Sequence, residues 1–177
     1  MSRLFVAIVP PPGIRRNLLD IMGGIAGARW QSDAQLHLTL SFAGNVDRTM
    51  ADDYTSALAS ISHRPLELRL AGLGHFARRD LVHTLWAGVE PNEPLKELAT
   101  KAARAARRVG IRIEERAFVP HITLARLNRS SGSTAAFLAA HAAFSSPSFV
   151  IDRFILFESL LGAGGATYRP LATYPLG

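Results

Sequence analysis

Leu36-His37-Leu38-Thr39-Leu40 is followed, well down the chain, by Pro120-His121-Ile122-Thr123-Leu124. Both stretches read as strands, over Leu36–Phe42 and Val119–Ala125. Residues two apart on a strand project from one face. Each His therefore shares a face with its Thr, while Leu38, Leu40, Ile122 and Leu124 face the other way, into a core. Two such strands side by side would bring two imidazoles and two hydroxyls into one space. A single half-buried His in a strand is most simply a residue satisfied by its neighbours. Two in matched contexts point to a site.

The surroundings of the repeat set the fold class. Arg3 to Val9 is an apolar run stopped by Pro10-Pro11-Pro12, which reads as a strand. A helix follows, with Ile14, Leu18, Ile21, Met22 and Ile25 on one face, weakened at its end by Gly23, Gly24 and Gly27. Asp47 is a candidate N-cap for a second helix carrying Met50, Tyr54, Ala57, Leu58 and Ile61. Leu66 to Leu70 alternates as a strand, Gly72 and Gly74 break the chain, and Leu81 to Val89 is a further strand. Pro94 opens a third helix that stops at Gly110. Ile111 to Ile113 reads as a short strand. An Ala-rich helix runs to about Ala143, Phe149 to Glu158 is one long strand, and Thr167 to Tyr174 is the last. Several strands follow one another with no helix between them, so an α+β arrangement fits better than a parallel doubly wound sheet. No linker divides the 177 residues.

Composition narrows the chemistry. The chain has no cysteine, which excludes a disulfide scaffold, a thiolate metal site and a cysteine nucleophile. Its hydrophobic fraction of 48% excludes a disordered chain. No apolar run reaches the roughly 20 residues of a membrane span, and MSRLFVAIVPPPG is unlike a signal peptide. The expectation is a cytoplasmic protein with no membrane association and no obligate protein partner. The net charge is +6. Lys96 to Arg129 holds nine basic and three acidic residues and so carries the whole surplus. That stretch is either a solvated helix face or a wall beside an anion.

Paired imidazoles suit general acid–base catalysis near neutral pH. Threonine hydroxyls can donate to phosphoryl oxygens. Together with the basic surface they point to phosphoryl transfer in which one His takes a proton from a nucleophile and the other gives one to a leaving group. His37 and His121 could instead ligate a metal, but no carboxylate lies near either in sequence, and there is no HExxH pattern. Phosphate-loop, dinucleotide and nucleophile-elbow motifs are absent.

At these motifs the sequence resembles the two-histidine phosphoesterase superfamily and, within it, the RNA 2′,3′-cyclic phosphodiesterases, also called 2′,5′-RNA ligases. The resemblance runs from Arg3-Leu4-Phe5-Val6-Ala7-Ile8 through Arg29-Trp30, the first motif with Ser41-Phe42-Ala43-Gly44, and Leu85-Trp86-Ala87-Gly88-Val89. It continues through Phe118-Val119 and the second motif with Ala125-Arg126, to Tyr168 and Pro175-Leu176-Gly177. It implies one bilobal LigT-like α+β domain over 1–177. Two antiparallel sheets with outer helices would flank a central cleft, as two pseudo-symmetric lobes each giving one HxT strand.

The implied activity is hydrolysis of a 2′,3′-cyclic phosphate to a 2′-phosphomonoester on RNA ends or small cyclic nucleotides, with the reverse 2′,5′ joining reaction. No cofactor or metal is implied. Carried over by position, His37 is the general acid, His121 the general base, and Thr39 and Thr123 bind phosphate. Arg126 matches an arginine near the phosphate, although strand alternation puts it opposite the His121 face, so it should reach the cleft from a strand end or bend. Phe42 matches a position that can stack on a base, with core packing as the alternative. Ser41 departs from relatives that often carry Lys. His83-Thr84 is a second departure, with His83 read as an edge or surface residue first and a substrate contact second. His63, His75 and His141 are expected in loops or helices, and Trp30 in packing. A module that binds RNA ends without turnover is the alternative function.

Overall fold

The computed structural model describes all residues, Met1–Gly177. β1 (Ser2–Ile8) explains its own unbroken apolar sequence, because both of its faces are covered. Leu4, Val6 and Ile8 belong to the main core, while Phe5 and Ala7 form a small cluster with Phe157 on the other side. β1 pairs antiparallel with β3 (Leu38–Val46) on one edge and β9 (Arg153–Gly162) on the other. β9 turns through Ala163 and Gly164 into β10 (Gly165–Pro175).

A second group of strands is also antiparallel. β7 (His121–Arg126) pairs with β6 (Leu81–Val89) and with the short β2 (Arg29–Trp30), and β6 pairs with β5 (Leu70–Arg78). The two groups meet at a single pair, Leu38 with Ile122. The path is β10-β9-β1-β3-β7-β6-β5, with β2 on β7. The two motif strands are thus direct neighbours at the seam. A separate two-stranded sheet joins β4 (Leu66–Leu68) to β8 (Phe149–Ile151).

Four helices complete the α+β architecture: α1 (Pro12–Ile21), α2 (Arg48–Ala59), α3 (Glu93–Arg108) and α4 (Ala135–Ala140). Asp47 caps α2, accepting from the Met50 amide at 2.8 Å, and Asn92 caps α3, accepting from the Leu95 amide at 3.0 Å. α3 buries Leu95, Leu98, Ala99, Ala102, Ala105 and Ala106 against β3 and α2.

Several elements differ from the sequence reading, each for a local reason. Phe149 to Glu158 is two strands. Asp152 falls between them, its carbonyl accepting from the Leu176 amide at 2.8 Å, and the chain crosses from the small sheet to the large one. Ile111 to Ile113 has no strand partner, although Ile111 is buried in the core. α1 stops at Ile21 and α4 at Ala140. His37 lies just ahead of β3, which runs on through Gly44 and Asn45.

Gly72 and Gly74 do not break the chain but lie within β5, so His75 is a strand residue. Gly72 has φ +73° at an irregularity in the β5–β6 ladder, and Gly74 leaves room for the Trp86 indole. A Cβ at Gly74 would lie 2.3 Å from two indole carbons. Gly74→Ala is therefore expected to cost about 1–3 kcal/mol as an overpacking change, read as a lower melting temperature. An unchanged melting temperature would mean that the indole yields freely.

Candidate active site

The spacing His-x-Thr keeps His and Thr on one face, but a regular strand would send the residue five places after each His to the other side. Both motif strands escape that rule by a bulge. In β7, Thr123 pairs with Trp86 and Ala125 with Leu85, so Leu124 has no partner and the alternation slips by one. Leu124 and Ala125 are both buried, and Arg126 returns to the side of His121 and Thr123. In β3, Thr39 pairs with Ala7 and Ser41 with Val6, leaving Leu40 unpaired. Leu40 and Ser41 are both buried, and Phe42 returns to the side of Thr39. The bend anticipated for Arg126 is this bulge, and its twin does the same for Phe42.

The result is one cavity of about 550 Å³, lined by His37, Thr39, Phe42, His121, Thr123 and Arg126 together. Phe42 is not a core residue. It is 47% exposed, and the Arg3 guanidinium sits over its ring, 4.9 Å from the centroid. Ser41 is buried and lies outside the cavity lining.

The two imidazoles are held alike. His37 Nδ1 donates to the Gln35 carbonyl at 2.7 Å, and His121 Nδ1 donates to the Val119 carbonyl at 2.7 Å. A carbonyl can only accept, so each Nδ1 carries a proton and each neutral ring keeps its lone pair on Nε2. The Gln35 carbonyl is itself fixed. Gln35 ends a 3-10 turn whose Ser32 amide donates to the Gln35 side chain at 3.0 Å, and Gln35 Nε2 donates to the Ala166 carbonyl at 2.8 Å.

Aromatic rings back both imidazoles. Phe5 and Tyr168 lie 4.9 Å from His37 by ring centroid, and Phe76 lies edge-on 4.9 Å from His121, with Trp86 at 5.9 Å. Burial among these rings, partly opposed by the Gln35 hydrogen bond, pulls His37 down to about 4. Burial also lowers His121, and Arg126 pushes both the same way. Both rings are therefore neutral at pH 7 in the open cleft.

The cations of the cleft are Arg3, Arg29 and Arg126. Arg29 and Arg126 are a cross-strand pair between β2 and β7. Two like charges so placed repel unless an anion lies between them. The rest of the basic surplus lies elsewhere. The α3 cations Lys96, Arg104, Arg107 and Arg108 are exposed, and no residue of α3 lines the cavity. Of the stretch from Lys96 to Arg129, only His121, Thr123 and Arg126 do. That surplus is a solvated helix face and its flanks, not a wall of the cleft.

No three His, Asp or Glu side chains come together as a metal cluster would require. His83 is exposed, with its ring on Thr84. Trp30 packs on Phe137 at 5.3 Å and also borders the cavity. Sequence reading passed over Gln35 and Phe76 altogether, and gave Phe5, Arg29, Trp86 and Tyr168 no role at the site. Those four lie in the quoted stretches of resemblance, which was the only signal for them. Gln35 and Phe76 reach the histidines through a backbone carbonyl and through strand pairing that a single sequence does not display.

Comparison with known proteins agrees with this architecture. An RNA 2′,3′-cyclic phosphodiesterase of Archaeoglobus fulgidus is 25% identical over 175 residues, spanning 97% of this chain and 99% of that protein. The proteins of that name from Thermotoga maritima and Escherichia coli are 28% and 30% identical, the first over 96% of this chain and 92% of its own, the second over 99% and 97%. The crystal structure of E. coli LigT complexed with 3′-AMP superposes with a TM-score of 0.80 at 27% identity, covering 99% of this chain and 97% of that one. The pattern of the 2′-5′ RNA ligase superfamily matches residues 26–163, a span that holds both HxT motifs, and the chain belongs to that superfamily.

Proposed function

We propose that this protein is an RNA 2′,3′-cyclic phosphodiesterase that opens the cyclic phosphate to a 2′-phosphomonoester by acid–base catalysis between His37 and His121. The observation that carries this reading is the matched pair of Nδ1–carbonyl hydrogen bonds, which leave two Nε2 atoms free in one cavity beside two threonine hydroxyls and an arginine. The E. coli relative complexed with 3′-AMP supports a nucleotide in the same fold. We read residues 1–177 as one bilobal unit whose halves each supply a His, a Thr and the residue after a bulge.

In this scheme Thr39, Thr123 and Arg126 donate hydrogen bonds to the non-bridging phosphoryl oxygens. Neutral His121 takes a proton on Nε2 from water as the water oxygen bonds to phosphorus. The bond from phosphorus to O3′ breaks, and protonated His37 gives its Nε2 proton to that oxygen. Exchange with solvent then restores both rings. A 5′-hydroxyl in place of water gives a 2′,5′ linkage by the same steps. Because burial keeps His37 neutral at pH 7, it must gain its proton together with the anionic phosphate, whose charge opposes the effect of burial. Phe42, half covered by Arg3, offers its other face to a base.

The test is incubation of the protein with a 2′,3′-cyclic nucleotide and with an oligoribonucleotide ending in that group, EDTA present. Release of a 2′-phosphate is the expected result. Binding without turnover would make the protein an RNA-end-binding module. Turnover lost to EDTA and restored by zinc would replace the scheme with a metal-assisted one.

A further inference from the structure

Arg126 is the exposed cation of the second motif, and the structure shows what holds it. Its Nη1 donates to the Thr84 hydroxyl at 3.0 Å, and that hydroxyl lies 2.8 Å from His83 Nδ1. Thr84 is 1% exposed. It is the cross-strand partner of Arg126 in the β6–β7 ladder, directly beyond the bulge that turns Arg126 back to the cleft. A guanidinium can only donate, so the Thr84 oxygen accepts from it, and the hydroxyl proton is free to go to His83 Nδ1. The His83 backbone is fixed too, its carbonyl accepting from the Leu127 amide at 3.0 Å, one residue past Arg126. The His83-Thr84 pair, a departure at the sequence level, thus has a defined place beside the cleft.

We propose that Thr84 is a positioning residue for the phosphate-binding arginine, with His83 setting the rotor of its hydroxyl. An arginine side chain has many rotamers, and leaving one ordered geometry for many lowers its hold on an anion. One hydrogen bond to a charged group is worth about a tenfold change in binding or somewhat more. The arginine meets the phosphate in ground and transition states alike, so the loss falls on KM and leaves kcat nearly intact. The inference rests on the cleft being a phosphate site.

The experiment compares Thr84→Val, which keeps the β-branched shape without the hydroxyl, with Thr84→Ser, which keeps the hydroxyl. KM and kcat are measured on a 2′,3′-cyclic nucleotide, and the dissociation constant of inorganic phosphate by titration. The expected result is a KM and a phosphate dissociation constant about tenfold higher in Thr84→Val, recovery in Thr84→Ser, and no added effect of Thr84→Val on top of Arg126→Ala. Unchanged constants in Thr84→Val, an equal loss in Thr84→Ser, or the same loss in the Arg126→Ala background would each overturn the proposal. If the wild type binds phosphate but never turns over the cyclic nucleotide, the enzyme reading fails, and the phosphate titration still decides the role of Thr84.

Discussion

His37→Ala and His121→Ala are each expected to lower kcat on a cyclic-phosphate substrate by about 10²–10⁴, the usual worth of a positioned acid or base. The double variant should be little worse than the weaker single variant, because the two rings serve one proton relay and their losses do not add. Each variant should also lose some stability, since each ring packs on aromatic neighbours and donates to one backbone carbonyl, Gln35 or Val119. The kcat values are therefore compared on protein shown to be folded by circular dichroism. The two roles separate with a second substrate. A phosphodiester whose leaving group departs as a stable anion needs no acid. On it, His37→Ala should keep most of the wild-type rate while His121→Ala remains crippled. The opposite pattern would exchange acid and base. Two variants that both retain full activity on the cyclic phosphate would dismiss the histidine pair.

The second large effect is in the pH profile. kcat/KM reports the free protein, and in the free protein His37 is pulled down to about 4 while His121 is lowered from 6.5. The productive form carries one proton on the pair, so kcat/KM should be bell-shaped with its maximum below pH 6.5. On the alkaline limb, above the higher of the two pKa values, it should fall tenfold per pH unit, so roughly a hundredfold over two units. The kcat profile should lie at higher pH, because a bound phosphate anion stabilises the imidazolium. A kcat/KM that still rises through pH 9 contradicts the pair.

The acid limb must be read beside a stability measurement. The unfolded chain binds a proton at His37 near pH 6.5 and the folded chain only near pH 4. The fold therefore has the full contribution of a neutral His37 above pH 6.5 and loses it as pH falls to about 4. The loss is on the order of 3 kcal/mol for that ring. Circular dichroism over the same pH range separates a lost proton relay from lost structure.

Much of this was legible in the chain itself. The His-x-Thr pairs follow from the period of two along a strand, the Asp47 cap from side-chain chemistry, and α3 from the spacing of Leu95, Leu98, Ala102 and Ala106. These are local rules acting over a few residues. The sequence by itself determined that each histidine would share a strand face with its threonine, and that the class would be α+β. The tertiary structure alone decided the rest. Leu40 and Leu124 become bulge residues only because β1 and β6 pair on either side of them, and that slip carries Phe42 and Arg126 into the cavity. The low pKa of His37 comes from rings on β1 and β10, far apart in sequence. The basic helix, the most conspicuous charge in the sequence, lies off the cleft because its apolar stripe binds it to β3 and α2. Register, desolvation and the direction a helix face takes are settled by partners distant along the chain, and no local pattern encodes them.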